Sequence, residues 1–183
     1  MINPFRRSAA AETRQSAEKL YNAAVRQARQ PSFYLDLGVP DTADGRFDMI
    51  ALHVYLLLRR LKQFSETGQT LGQALFDHMF TDLDRNLREM GVGDLGVGRQ
   101  VKAMAAAFYG RVAAYDAGLA ENDAVLAQAL ARNLYRNARP PEQTLGAMAR
   151  YVRASAGVLD LVPAEGLLQG KVDFGAAFST LGR

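Results

Sequence analysis

Apolar residues recur at three- and four-residue spacing along nearly the whole chain, and strand-like alternation is sustained nowhere, so the pattern predicts helices throughout. The first helix is predicted from about Ala9 to Arg29, ending before Pro31 because the residue preceding a proline avoids the helical region. Residues 31–46 (PSFYLDLGVPDTADGR) read as an ordered loop, with Phe33, Tyr34, Leu35, Leu37 and Val39 needing burial. A second helix, about Asp44 to Ser65, carries Phe47, Ile50, Val54, Leu57 and Leu61 on one stripe and Met49, Leu52, Tyr55 and Leu56 on the other side. A helix apolar nearly all round belongs at the centre of a fold. The third, Thr70 to Met90, is followed by Gly91 as a left-handed cap. The fourth runs from about Val97 to Leu119 through Val101, Met104, Phe108, Val112 and Tyr115. Asn122 is a good N-cap for a helix to Asn137; Pro140-Pro141 break the chain, and another helix spans about Glu142 to Leu159. The expected architecture is one all-α domain of about six or seven packed helices. Residues 1–30 would form a basic helix docked on it, 31–160 its core, and 161–183 a tail with a short helix.

Composition narrows this without changing it. A chain of 183 residues can bury a real core, and 49% apolar with 22% charged residues is ordinary globular usage. The absence of Cys removes disulfides, thiolate nucleophiles and Cys-ligated metal centres together. The longest apolar stretch, Met49–Leu58, is half the roughly 20 residues that a membrane-spanning helix needs. The Arg-rich N-terminus has some transit-peptide character, but Glu12 and Glu18 intrude, and Leu20, Tyr21, Ala24 and Val25 fit a packed helix better.

The net charge of +3 hides polarity: residues 1–30 and 132–153 each carry +4, while 77–94 carry −3. Such polarity concerns partners rather than fold. The basic N-terminal residues Arg6, Arg7, Arg14, Arg26 and Arg29 suit contact with anionic lipid or a ribosome's nucleic-acid backbone, or are simply the solvated face of a docked helix. Sequence-specific DNA binding is not expected.

Motif matches fail on context. Gly91, Gly93 and Gly96 satisfy G-x-G-x-x-G, but a helix precedes them where the dinucleotide fingerprint needs a strand. Asp82, Asp84 and Asn86 open like a calcium loop, yet Leu87 stands at the obligatory glycine position. In a helix Asp82, Arg85, Asn86 and Glu89 share a face instead, with Arg85 and Glu89 spaced to pair. His78 and Asp82 are one turn apart but lack a further ligand, and His53 lies in the most apolar helix, where a hydrogen-bonded core histidine is expected. With no nucleophile signature, the sequence predicts no catalytic residue, no metal and no cofactor.

Two stretches go beyond generic helix: FYLDLGVPDTADGRFDMIALHVYLLLRRLK (33–62) and ALFDHMFTDLDRNLREMGVGDLGVGRQVKAMAAAFYGRVAAY (74–115). Together they resemble the ubiquinol–cytochrome c chaperone family. The resemblance implies an all-helical, non-enzymatic assembly factor for the bc1 complex (complex III) that binds newly made cytochrome b or another bc1 subunit, with a small helper protein. It implies a peripheral place at the cytoplasmic face of the inner membrane, or the matrix side in a eukaryote; without the long N-terminal extension of mitochondrial members, a bacterial member is expected. The alternative is a peripheral adaptor that binds ribosome or anionic membrane through the basic N-terminal helix. Holding a membrane-protein client calls for apolar walls with charged rims. At the positions matching the family's motifs, Phe33, Tyr34, Val39 and Phe80 are the expected walls. Asp41, Asp44, Arg46, Asp82, Arg85, Arg88, Glu89 and Asp94 are the expected rims, with Asp44, Arg46 and Asp48 also suited to capping and positioning the second helix.

Overall fold

The computed structural model describes residues 4–175, with side chains from residue 9 onward. Among these there are eight α-helices, a π-helical turn and no strand. They are α1 (Pro4–Ala28), α2 (Pro31–Leu35), α3 (Ala43–Leu61), α4 (Glu66–Glu89), α5 (Asp94–Ala120), α6 (Asp123–Leu130), the π turn Ala131–Tyr135, α7 (Glu142–Leu161) and α8 (Ala164–Leu168). The all-α expectation holds, with α2 added inside the segment expected to be a loop: Pro31 supplies a fixed φ at the first helical position.

α3 is the axis of the fold. Met49, Ala51, Leu52, Val54, Tyr55, Leu56 and Leu57 are all buried, and α1, α4, α7 and the π turn pack around it. α1 docks mainly on α4 through Ala17, Leu20, Tyr21, Ala24 and Ala28, leaving Arg14, Lys19, Arg26 and Arg29 exposed. The side chains of Arg6 and Arg7 lie outside those described.

Local chemistry sets the helix ends. Thr42 Oγ1 accepts the Gly45 N–H at 3.1 Å, so Thr42, not Asp44 or Asp48, caps α3. Asn122 Oδ1 accepts from the N–H groups of Ala124 and Val125 at 3.0 and 3.1 Å. At the end of α4, Gly91 (φ +83°) takes the left-handed position while Val92 N–H reaches Leu87 O and Gly91 N–H reaches Arg88 O, the Schellman pattern. The glycine-rich link is thus a helix stop followed by the start of α5, not a phosphate-binding turn. Where α5 ends, Arg153 of α7 donates to the carbonyls of Leu119 and Gly118 and to Asp123, neutralising the negative helix terminus.

His53 is fully buried, as its apolar helix foretold. Its Nδ1 lies 2.8 Å from Met49 O and its Nε2 2.7 Å from the Tyr151 hydroxyl, which also accepts from Gln27. Phe33 and Phe174 pack edge-on against the ring. Nδ1 therefore carries the proton and Nε2 accepts from Tyr151, a neutral imidazole with both nitrogens satisfied. Burial pushes its pKa from the usual 6.5 down to about 4. A depressed histidine pKa means that the unfolded chain binds the proton first. The stabilisation is complete above pH 6.5 and is lost as pH falls towards 4, up to about 3 kcal/mol. Urea titrations at pH 7, 6, 5.5 and 5 should show this fall beginning near pH 6.5, before carboxylates titrate, and His53→Phe should flatten it. A wild-type profile flat from pH 7 to 5 would refute the assignment.

Candidate client-binding groove

An open groove of about 550 Å³ runs between the second half of α3, the first half of α4 and the middle of α5. Its apolar surface comes from Tyr55, Leu58, Phe76, Phe108, Tyr109 and Val112, and its rim from Arg59, Lys62, Gln63, Gln73 and Asp116. The aromatic rings form one connected set. Phe76 lies 5.7 Å from Phe108, 5.5 Å from Tyr109 and 4.6 Å from Phe80, centroid to centroid. Phe108 is buried and fixes the floor, whereas Tyr109 is 60% exposed and stands free on the lip. Adjacent positions on a helix point in different directions, so the pair gives one rigid support and one accessible ring. On the far side, the Tyr55 hydroxyl donates to Asp116 at 2.7 Å; burial, then that hydrogen bond, pushes the Tyr55 pKa up. The rim cation Arg59 pairs with Asp160 at 3.0 Å.

The expected walls land elsewhere. Phe33 is 0% exposed and Val39 is also buried; both are core residues and offer no surface to a client in this conformation. The segment 31–39 folds inwards on these two and Leu37, so Leu35, expected inside, is instead 81% exposed. Phe80 is mostly buried behind the aromatic set, reaching a shallow recess with Asp77, Thr81, Asp84 and Val101. Tyr34 is half-buried, its hydroxyl tied to Ala28 O at 2.8 Å. It shares a second hollow, about 430 Å³, with Arg29, Leu35, Asp41 and Arg46. There Arg46 donates to Asp41 at 2.6 Å and holds its carboxyl below the usual carboxylate range.

The acidic stripe of α4 is largely internally paired. Asp82 accepts from Tyr21 of α1 at 2.8 Å and from Asn86 at 3.2 Å, and it takes Arg85, which the sequence had paired with Glu89. The anchored carboxylate wins because Tyr21 already fixes it. Arg88 bridges Asp84 (2.7 Å) and Asp94, tying the end of α4 to the start of α5. His78 packs its ring on Tyr21, with centroids 5.0 Å apart. Glu89 is exposed on the last turn of α4.

A buried ionic cluster went unread in the sequence. Asp48, 1% exposed, lies 2.8 Å from Arg111 Nη2 and 2.7 Å from Arg136 Nε, and Arg136 also reaches Asp44 at 2.8 Å. Burial holds the Asp48 carboxyl above the usual carboxylate range, against the downward pull of the Arg136 and Arg111 guanidiniums beside it. Arg136 pays for this with a left-handed backbone (φ +50°) just after the π turn, which turns Leu134 and Tyr135 into the core. The cluster joins α3, α5 and the turn that follows the π turn. The cluster positions the scaffold, and the groove lies beyond it.

By geometry this is an all-helical scaffold with an open, aromatic-lined groove; no group of three or more His, Asp or Glu suited to a metal occurs among the described residues. The chain belongs to the ubiquinol-cytochrome C chaperone family, whose model matches residues 35–174. It is 28% identical over 153 residues to ubiquinol-cytochrome-c reductase complex assembly factor 1 of Xenopus laevis, covering 84% of this chain and 76% of that protein. It is 30% identical over 146 residues to Protein CBP3, mitochondrial, of Saccharomyces cerevisiae, covering 78% of this chain and 44% of that one. The chain thus spans about half the length of its mouse and yeast relatives, 52% and 44%. The crystal structure of the Cbp3 homolog from Brucella abortus superimposes with a TM-score of 0.81 at 37% identity, over 93% of this chain and 95% of that one.

Proposed function

We propose that this protein is a non-enzymatic assembly chaperone of the bc1 complex that holds newly made cytochrome b, or another bc1 subunit, in the groove between α3, α4 and α5. The observation that carries the reading is an accessible apolar groove with a charged rim, in a member of a family whose relatives are named as assembly factors of that complex. A client made of apolar helices needs a wall that covers it and a rim that keeps the complex wetted and reversible. Tyr109 is the anchor best placed for this, being aromatic, exposed and backed by buried Phe108. Tyr34, Asp41 and Arg46, brought together in the second hollow, are proposed as a subsidiary contact. No helix among the described residues is long and apolar enough to cross a membrane. The exposed arginines and lysine of α1 suit a peripheral place at the anionic membrane face where such a client is made.

Deleting the gene and measuring cytochrome b spectra and bc1 activity tests the role; normal levels of both would sink it. Tyr109→Glu tests the site. Loss of an interface anchor costs about 2 kcal/mol, so client capture should weaken about 30-fold and bc1 levels should fall towards those of the deletion. The melting temperature should stay put, because Tyr109 is on the surface. Unchanged bc1 levels in that variant would move the client off the groove.

A further inference from the structure

Two charges on the groove's rim are unspent. Arg59 is taken by Asp160, and Gln63 donates to the same carboxylate at 3.1 Å. Lys62, which caps the end of α3, is exposed and has no ion-pair partner among the described residues. Asp116 accepts the Tyr55 hydroxyl on Oδ1 alone, and its residue is exposed. Tyr55 and Lys62 are seven positions apart on α3, which is about two turns or roughly 10 Å along the groove. The walls between are apolar: Leu58, Phe76, Phe108 and Val112.

We infer that the occupant is an apolar helical segment carrying one basic and one acidic side chain about two turns apart, the basic one seated at Asp116 and the acidic one at Lys62. The inference rests on the reading of the groove as the client site and specifies what kind of segment enters it. A helix without charges would leave both rim groups partly desolvated and unpaired, at a cost that the matched helix avoids. An acidic amphiphile would use Lys62 and leave Asp116 facing an apolar tail. Next to Tyr109 on α5, Ala106 and Gly110 are exposed and small enough to leave room for a helix roughly 10 Å across. The rim pairs are partly exposed, so they act as selectors of segment and register more than as the source of affinity.

The test uses the full chain and four labelled synthetic leucine/alanine helices with paired residues seven positions apart: Glu and Lys, Lys and Lys, Glu and Glu, or Gln and Gln. In low salt, fluorescence anisotropy should show the Glu/Lys peptide binding about fivefold tighter than Gln/Gln, the upper range for exposed pairs. Lys62→Glu should shift the preference to Lys/Lys. Asp116→Asn, which still accepts the Tyr55 hydroxyl, should remove the advantage of the lysine. Equal binding of all four peptides, lost on Tyr109→Glu, would overturn the charge rule while leaving the groove as the client site. No peptide binding, or binding indifferent to Tyr109→Glu, would overturn both. A dimer dispersed by Tyr109→Glu would assign the groove to a second copy of this chain and equally overturn the inference.

Discussion

Asp48→Ala is expected to destabilise the protein by about 3–5 kcal/mol, the range for breaking a buried ion pair by removing one partner. The carboxylate is 1% exposed and compensates Arg111, itself largely buried, together with the more exposed Arg136. Without it the Arg111 charge is left in a site it cannot easily leave, since α5 packs against α4 and α6 on either side. Arg136, whose backbone sits at φ +50°, keeps only its exposed pair with Asp44, so the junction from the π turn to the start of α3 should loosen. A total stability of 5–15 kcal/mol makes this a large fraction. Urea denaturation measures it directly. Asp48→Asn, which keeps an acceptor and loses the charge, should fall between wild type and Asp48→Ala. A change below about 1 kcal/mol for Asp48→Ala would mean that the arginines escape to water and that the cluster is not structural.

Gly45→Ala carries the second large effect, and its sign is opposite to intuition. Alanine in a helix normally gains up to about 1 kcal/mol over glycine. At Gly45 a Cβ would lie 2.0 Å from the Pro40 carbonyl oxygen and 3.0 Å from its carbon. That neighbour is backbone, held by a proline ring and by the Thr42 cap that starts α3, so it cannot swing aside. Moving the whole turn costs at least the upper end of overpacking, about 3 kcal/mol, which for a chain of this size lowers Tm by about 10 °C. Gly110→Ala is the control: no atom comes within 4 Å of a Cβ there, and that variant should melt no lower than wild type. Equal melting of the Gly45 and Gly110 variants would refute the close approach at Pro40.

Both effects sit in the stretch GVPDTADGRFD, which the sequence marked as special without saying why. Its aspartates and arginine suit a client rim as well as they suit a cap. Distance decides between them: Thr42 does the capping, Asp48 is buried by residues 63 and 88 positions away, and Arg46 closes on Asp41. The groove was invisible for a related reason. Phe76 and Tyr109 fall off the main apolar stripes of α4 and α5, and an off-stripe aromatic residue is the signal that would have found them. Phe33 and Val39 carried the same apolar signal in a segment read as a loop, and the chain used them to seal its core.

The sequence by itself determined the all-helical fold, the central place of α3, the stop at Gly91, the cap at Asn122 and the buried, hydrogen-bonded character of His53, together with the family resemblance. These depend on spacing and on neighbours within a turn or two, where a side chain's position follows from its place in the helix. Only the tertiary structure decided which aromatic rings remain open, which charges are spent internally and which remain for a partner. Arg136 and Arg153, counted in the sequence within the basic stretch 132–153, are consumed by Asp48, Asp44 and Asp123, and Arg111 by Asp48, whereas Lys62 and Asp116 keep theirs. Ion pairing and burial depend on contacts between residues tens of positions apart, and no local pattern along the chain encodes those distances.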